Sequence, residues 1–218
     1  MITLHGFAVS NYYNKVKLAM LEKNIAFTEV AAHPLKMTAA DMASSPLGKI
    51  PFITTPQGVL CESQAIIDYL EAAHPVPALL PADPFAAAKV RELTTYIDLH
   101  IELIARQLYT QAFFGGVVSE STQVRVRTQL EKNIAALKSL IKFAPYAAGA
   151  TFTQADCAAF ASLPLVGMAC KAIYGEDLLV IGGVDYKAYI KMISERPAAQ
   201  KVLNDRKAAT APVPSKAA

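Results

Sequence analysis

Between His74 and Pro84 the chain places Pro75, Pro77, Pro81 and Pro84, a density that neither a helix interior nor a central strand accepts, because proline lacks the N–H that both need. The segment divides the sequence, and the two sides carry different periodicities. Ahead of it, short strand-like runs alternate with helical spacing; behind it, apolar residues recur every three or four positions almost throughout. The division predicts a first domain over 1–77, a linker over 78–84, an all-helical domain over 85–207 and a flexible tail over 208–218. With 53% hydrophobic and 18% charged residues, the chain has ample apolar surface to bury.

In the first domain, Ile2 to His5 reads as a short buried strand, followed by a polar turn at Ser10-Asn11 and a helix with Val16, Ala19 and Met20 on one face. Phe27 to Val30 is a second strand, and the intervening helix makes the two parallel, a right-handed βαβ unit. A short helical piece starts at Thr38. Phe52-Ile53-Thr54-Thr55 and Val59-Leu60-Cys61, joined by Pro56-Gln57-Gly58, predict an antiparallel hairpin. A helix with Ser63, Ile66, Ile67 and Leu70 at i, i+3, i+4, i+7 follows. The order is βαβαββα. Beyond the linker, Val90, Leu93, Ile97, Ile101, Ile104 and Leu108 mark one long amphipathic helix, and Leu130, Ile134, Leu137 and Ile141 another. Thr153-Gln154-Ala155-Asp156 has the pattern of a capping box, with Phe152 and Cys157 placed as its hydrophobic staple. Tyr186, Tyr189, Ile190 and Ile193 predict a further helix ending before Pro197, and a short one follows near Val202.

Three stretches, Ser45-Pro46-Leu47-Gly48-Lys49-Ile50-Pro51, Cys61-Glu62-Ser63-Gln64-Ala65-Ile66 and the capping box at Phe152 to Cys157, occur in this order around those elements. In that context the chain resembles the glutathione S-transferase superfamily over about Ile2 to Arg206. The resemblance implies a thioredoxin-like α/β N-terminal domain followed by an all-α C-terminal domain. It also implies glutathione as co-substrate, a cis bond before Pro51, and a homodimer with the helix after Glu62 and the first long helix near the twofold axis.

Glutathione offers two carboxylates, an ammonium, peptide groups and a thiol, and the residues at these positions match each group. Ser63 stands where a helix begins, so free backbone N–H groups and the positive dipole end favour a carboxylate, to which the hydroxyl adds a donor. In the family that carboxylate is the γ-glutamyl one, with Glu62 beside the ammonium. The Ile50 backbone, turned outward before Pro51, would pair with the cysteinyl part like an added strand, and Lys49 would lie near the glycyl carboxylate. A thiol with a pKa of about 8.5 is mostly protonated at neutral pH, so the site must stabilise the thiolate. Ser10 holds the place at which serine-type classes keep the hydroxyl that donates to the sulfur. The tyrosine-type pattern is absent, since His5 and Phe7 occupy the first-strand region, and the cysteine-type pattern would need Cys at position 10. Ser10 as a mere helix cap, and Asn11, Tyr12 or Tyr13 as the sulfur's partner, are the alternatives. A hydrophobic second-substrate pocket is expected between the domains, with Phe7, Tyr12, Tyr109, Phe113 and Phe114 as candidate lining; packing in the core is the other reading of these aromatics.

The expected activity is attack of the bound thiolate on a small hydrophobic electrophile. A glutathione-binding protein without turnover, or a glutathione-dependent peroxidase or disulfide reductase, are the alternatives. Other classes lack their signatures: there is no GxGxxG after the first strand, no P-loop, no GxSxG and no HExxH. A net charge of +3 without a basic stripe argues against nucleic acid. The apolar stretch Cys157 to Cys170 is shorter than a membrane span needs, so no membrane segment is expected. His74 and His100 have no ligand partners at metal spacing, His5 reads as structural and His33, before Pro34, as a candidate for the glycyl end, so no metal is expected either. Cys61, Cys157 and Cys170 show no paired spacing and read as small core hydrophobes of a reducing, cytoplasmic compartment.

Overall fold

The computed structural model describes residues 1–210. Two compact units emerge, one of Met1–Pro75 together with the segment from Ser194 onward, the other Val76–Ile193.

In the first unit, β1 (Ile2–Gly6), α1 (Asn11–Glu22), β2 (Phe27–Ala31), α2 (Ala39–Ser44), β3 (Phe52–Thr55), β4 (Gly58–Cys61) and α3 (Ser63–Ala73) follow in the βαβαββα order. The sheet order is β2-β1-β3-β4. β1 runs parallel to β2, pairing Leu4 with Glu29, and antiparallel to β3, pairing Leu4 with Ile53; β3 and β4 form the hairpin. Leu4, Phe52 and Ile53 from the sheet, Val16, Ala19 and Met20 from α1, and Ile66, Ile67 and Leu70 from α3 are all buried. These are the apolar residues whose periodicity defined the elements. Gly6 permits a close approach that a side chain would block: a Cβ there would stand 2.4 Å from the Tyr13 ring.

The second unit opens with α4 (Pro84–Thr95), capped by Asp83, whose Oδ1 accepts from Ala86 N at 2.8 Å. Proline at the first helical position needs no donor there. The predicted single long helix is instead composite: a π-helical stretch at Tyr96–Glu102, α5 (Leu103–Ala105), a 3₁₀ turn at Arg106–Leu108 and α6 (Tyr109–Phe114). Ile97, Asp98, Ile101, Glu102 and Ala105 are buried along it. α7 (Glu120–Leu140) buries Val126, Leu130, Ile134 and Leu137.

α8 (Gln154–Tyr174) is the core helix of this unit. It is long and apolar enough to cross a membrane by length and composition, with a mean hydropathy of 1.5 over 18 residues, contrary to the reading of Cys157 to Cys170 as too short. Ser162, Pro164 and Gly167 interrupt the apolar run without ending the helix. About 67% of that window is buried inside the fold, the environment of a core helix. Gly167 leaves the space that Asp177 and the Tyr186 hydroxyl fill. α9 (Leu178–Ile181), which the periodicity had not marked, starts where Asp177 Oδ1 accepts from Leu179 N at 3.1 Å, and α10 (Lys187–Ser194) follows.

The sequence reading placed 85–207 in a single helical domain; the last helix, α11 (Pro197–Thr210), groups instead with the first unit. Ion pairs explain this. Arg196 grips Glu22 of α1 with Nε–Oε1 2.7 Å and Nη2–Oε2 2.5 Å, and the buried Lys17 of α1 donates to Asp205 Oδ2 at 2.5 Å and to Glu29 Oε2 of β2 at 2.6 Å. Such pairing is legible only in three dimensions. α11 is longer than the short helix expected and runs through Thr210, beyond the predicted start of the tail; the remainder of that tail lies outside the described residues.

Burial alone would raise the Asp205 carboxyl, but hydrogen bonds from Lys17 and Lys201 and their charges outweigh it and hold it below the usual aspartate value. A carboxylate depressed in the fold contributes stability above its unfolded value, and that contribution disappears as pH falls through the folded value. Hydrogen exchange in α11 is therefore expected to quicken below about pH 4. Asp205→Asn should do the same at neutral pH and cost about 1 kcal/mol, the pair being partly exposed. Unchanged α11 protection in the variant would remove this role.

Candidate glutathione site

Ser10 is the N-cap of α1, with φ −70° and ψ 126°, and its Oγ accepts from Tyr13 N at 3.3 Å. Its own N–H closes the turn on Phe7 O at 3.1 Å, and Asn14 Nδ2 fixes the same loop through Ala8 O at 2.7 Å. The capping reading is thus correct, yet it does not compete with a second role. A hydroxyl has two acceptor lone pairs and one proton, and capping uses a lone pair, leaving the O–H to donate. Tyr13 leaves the contest: it is buried, and its hydroxyl donates to Glu29 of β2, with burial first and that carboxylate second pushing its pKa far up. Asn11 is buried and Tyr12 half-buried.

The second component is the loop entering β3. Ile50-Pro51 is a cis peptide, as the resemblance implied. The loop is stapled by the buried Ser45, whose Oγ donates to Lys49 O at 2.7 Å and accepts from Lys49 N at 3.3 Å, while Gly48 N reaches Ser45 O at 2.8 Å. Lys49 itself is exposed, Ile50 half-buried and Pro51 buried.

The third component is the junction of β4 and α3. Glu62 occupies the N-cap position with φ +68°, left-handed backbone that a non-glycine residue adopts at a cost of roughly 1–3 kcal/mol and that clusters at ligand sites. No side chain caps α3, so the first-turn N–H groups stay available to a ligand. Glu62 is exposed and Ser63 buried. Behind Ser63 lies a group that the sequence reading missed. Lys15 of α1 is fully buried, and its Nζ reaches Ser63 Oγ at 3.5 Å and Gln64 Oε1 at 2.9 Å, while Gln64 Nε2 donates to Asp68 Oδ1 at 3.3 Å. A charged residue four positions before Ala19, on the buried face of α1, was the available signal.

The remaining candidates have local roles. Phe7 stacks on His33 with centroids 4.8 Å apart, and His33 Nδ1 accepts from Leu35 N at 3.2 Å, capping a 3₁₀ turn. In the second unit, Tyr109 is buried among its helices with Phe113 packed at 5.0 Å between ring centroids and the Arg106 guanidinium 5.3 Å from its ring; Phe113 is partly exposed and Phe114 largely so. His5 is structural, stacked on Phe52 at 4.4 Å with Nε2 3.2 Å from Thr54 Oγ1, and burial lowers its pKa. Cys157 and Cys170 are buried and in no disulfide, and burial pushes the Cys170 thiol up to about 12; Cys61 is half-buried. Among the described residues no group of three or more His, Cys, Asp and Glu side chains could hold a metal ion.

A four-stranded sheet of order β2-β1-β3-β4, with a cis-proline entering β3 and an uncapped helix after β4, makes the first unit thioredoxin-like, and the chain continues into an all-helical unit. Residues 4–78 match the family model of the glutathione S-transferase N-terminal domain. A glutathione S-transferase of Pseudomonas putida is 41% identical over 211 residues, spanning 95% of this chain and 94% of that protein. Among solved structures, glutathione S-transferase III in its apo form superposes with a TM-score of 0.74 at 26% identity, over 98% of this chain and 99% of the other. A Methylobacterium radiotolerans glutathione S-transferase in complex with glutathione sulfonate shares the fold at 24% identity, with a TM-score of 0.75 over 92% and 93%. The chain belongs to the glutathione S-transferase family.

Proposed function

We propose that the protein is a serine-type glutathione S-transferase in which Ser10 donates its hydroxyl hydrogen bond to the glutathione sulfur, lowering the thiol pKa so that the thiolate attacks a hydrophobic electrophile. The observation that carries this is the Ser10 hydroxyl at the N-terminus of α1, its lone pair taken by Tyr13 N and its proton left to give. The helix dipole adds to the same effect. The γ-glutamyl carboxylate binds at Ser63 and the first-turn amides of α3, the ammonium beside Glu62, the cysteinyl backbone along Ile50 before Pro51, and the glycyl carboxylate near Lys49. Family membership supports a homodimer, and the free cysteines support a reducing cytoplasmic setting.

Titration of the far-ultraviolet thiolate band of bound glutathione tests the reading. In Ser10→Ala the thiol pKa is expected to rise by about 1 to 2 units, each worth about 1.4 kcal/mol, with glutathione affinity little changed. An unmoved pKa would take Ser10 out of the mechanism.

A further inference from the structure

Resting on that reading, we propose that Lys15 is a positioning residue for the γ-glutamyl carboxylate, acting through Ser63. Lys15 is fully buried on α1, and Nζ lies 3.5 Å from Ser63 Oγ and 2.9 Å from Gln64 Oε1. Burying an ammonium is costly unless it is well paired, and apolar packing at such a place is usually at least as stabilising. On the same helix Asn11, one turn before it, Asn14 and Lys17 are buried as well, alongside the fully buried Leu18 and Ala19. What the ammonium reaches on α3 is polar, the Ser63 hydroxyl and the Gln64 amide oxygen.

Hydroxyl chemistry supplies the function. An ammonium has three donors and no acceptor, so toward Ser63 it can only donate, and it occupies a lone pair of Oγ. The Ser63 proton is then turned away from Lys15 and is left to donate to an incoming carboxylate. Gln64 is fixed in the same sense: its amide oxygen faces Lys15 and its nitrogen faces Asp68, 3.3 Å away, which anchors the first turn of α3. The positive charge behind that turn also deepens the potential that the uncapped amides present to an anion.

The test compares binding of glutathione with binding of its analogue carrying a carboxamide in place of the γ-glutamyl α-carboxylate, by titration calorimetry on the full chain. The wild type is expected to prefer glutathione by about 10- to 100-fold, the range of a charge-assisted hydrogen bond. In Lys15→Met the preference should fall to within about threefold, and the loss should appear as a higher KM for glutathione with kcat largely kept. Lys15→Arg, the milder change, should retain most of the preference; if Lys15→Met fails to fold by circular dichroism, this variant decides alone, and loss of preference in it overturns the proposal. A folded Lys15→Met that keeps the wild-type preference overturns it while leaving the glutathione site intact. A wild type that does not distinguish the two compounds instead overturns the carboxylate site itself.

Discussion

Replacement of Asp156 by alanine is expected to lower the free energy of unfolding by about 3 to 5 kcal/mol, the range for stripping a buried polar network of its acceptor. Asp156, fully buried in the first turn of α8, receives four hydrogen bonds. Oδ2 accepts from Thr153 N at 2.7 Å and Thr153 Oγ1 at 3.1 Å; Oδ1 accepts from Ala147 N and the Tyr189 hydroxyl, each at 2.8 Å. Burial pushes its carboxyl up and these donors pull it back. Alanine would leave two backbone amides, the Thr153 hydroxyl and a phenol without this acceptor in the core, at about 1–3 kcal/mol for each group that relaxation does not re-pair. At roughly 2–4 °C per kcal/mol for a chain of this size, the melting temperature should fall by about 10 °C. Denaturant unfolding measures the difference, and a change under 1 kcal/mol would show that the box is dispensable. Asn, which keeps one acceptor oxygen, should fall between.

Ser10→Cys should change the chemistry rather than the stability. A thiol at this N-cap sits at the positive end of α1, the setting that lowers cysteine pKa and favours thiolate. The variant is expected to attack oxidised glutathione, forming a mixed disulfide with one half and releasing the other as glutathione thiolate, while conjugation of a chloronitroaromatic falls by about 100-fold or more, since an anionic side chain no longer donates to the sulfur. Intact mass before and after treatment with a reductant reads the adduct. Unchanged conjugation with no adduct would place the glutathione sulfur away from position 10.

The elements were legible because burial and periodicity coincide: Ile66, Ile67 and Leu70, or Leu130, Ile134 and Leu137, are both the pattern and the core. That Ser10, Pro51, Glu62 and Ser63 stand at element boundaries was legible, because a polar residue or a proline at the end of an apolar run marks where an element starts or stops. Glu62's left-handed backbone was not, since only a glycine would have announced it. Lys15 hid for the opposite cause: a lysine in a helix normally reads as solvated, and only its contact with residues 48 and 49 positions away gives it meaning. The π-helical stretch was read as an ordinary helix because steps of three and four fit both. The return of α11 rests on Lys17–Asp205, 188 residues apart, which no local pattern encodes.

That return also makes the helical unit an insertion within the other one. A fragment ending at the proline segment would lack the partners of Glu22 and of half the Lys17 charge, so it would not be a miniature of the first unit. On the ribosome, the sheet of the first unit emerges first but waits for α11, made after residue 193, before that unit is complete.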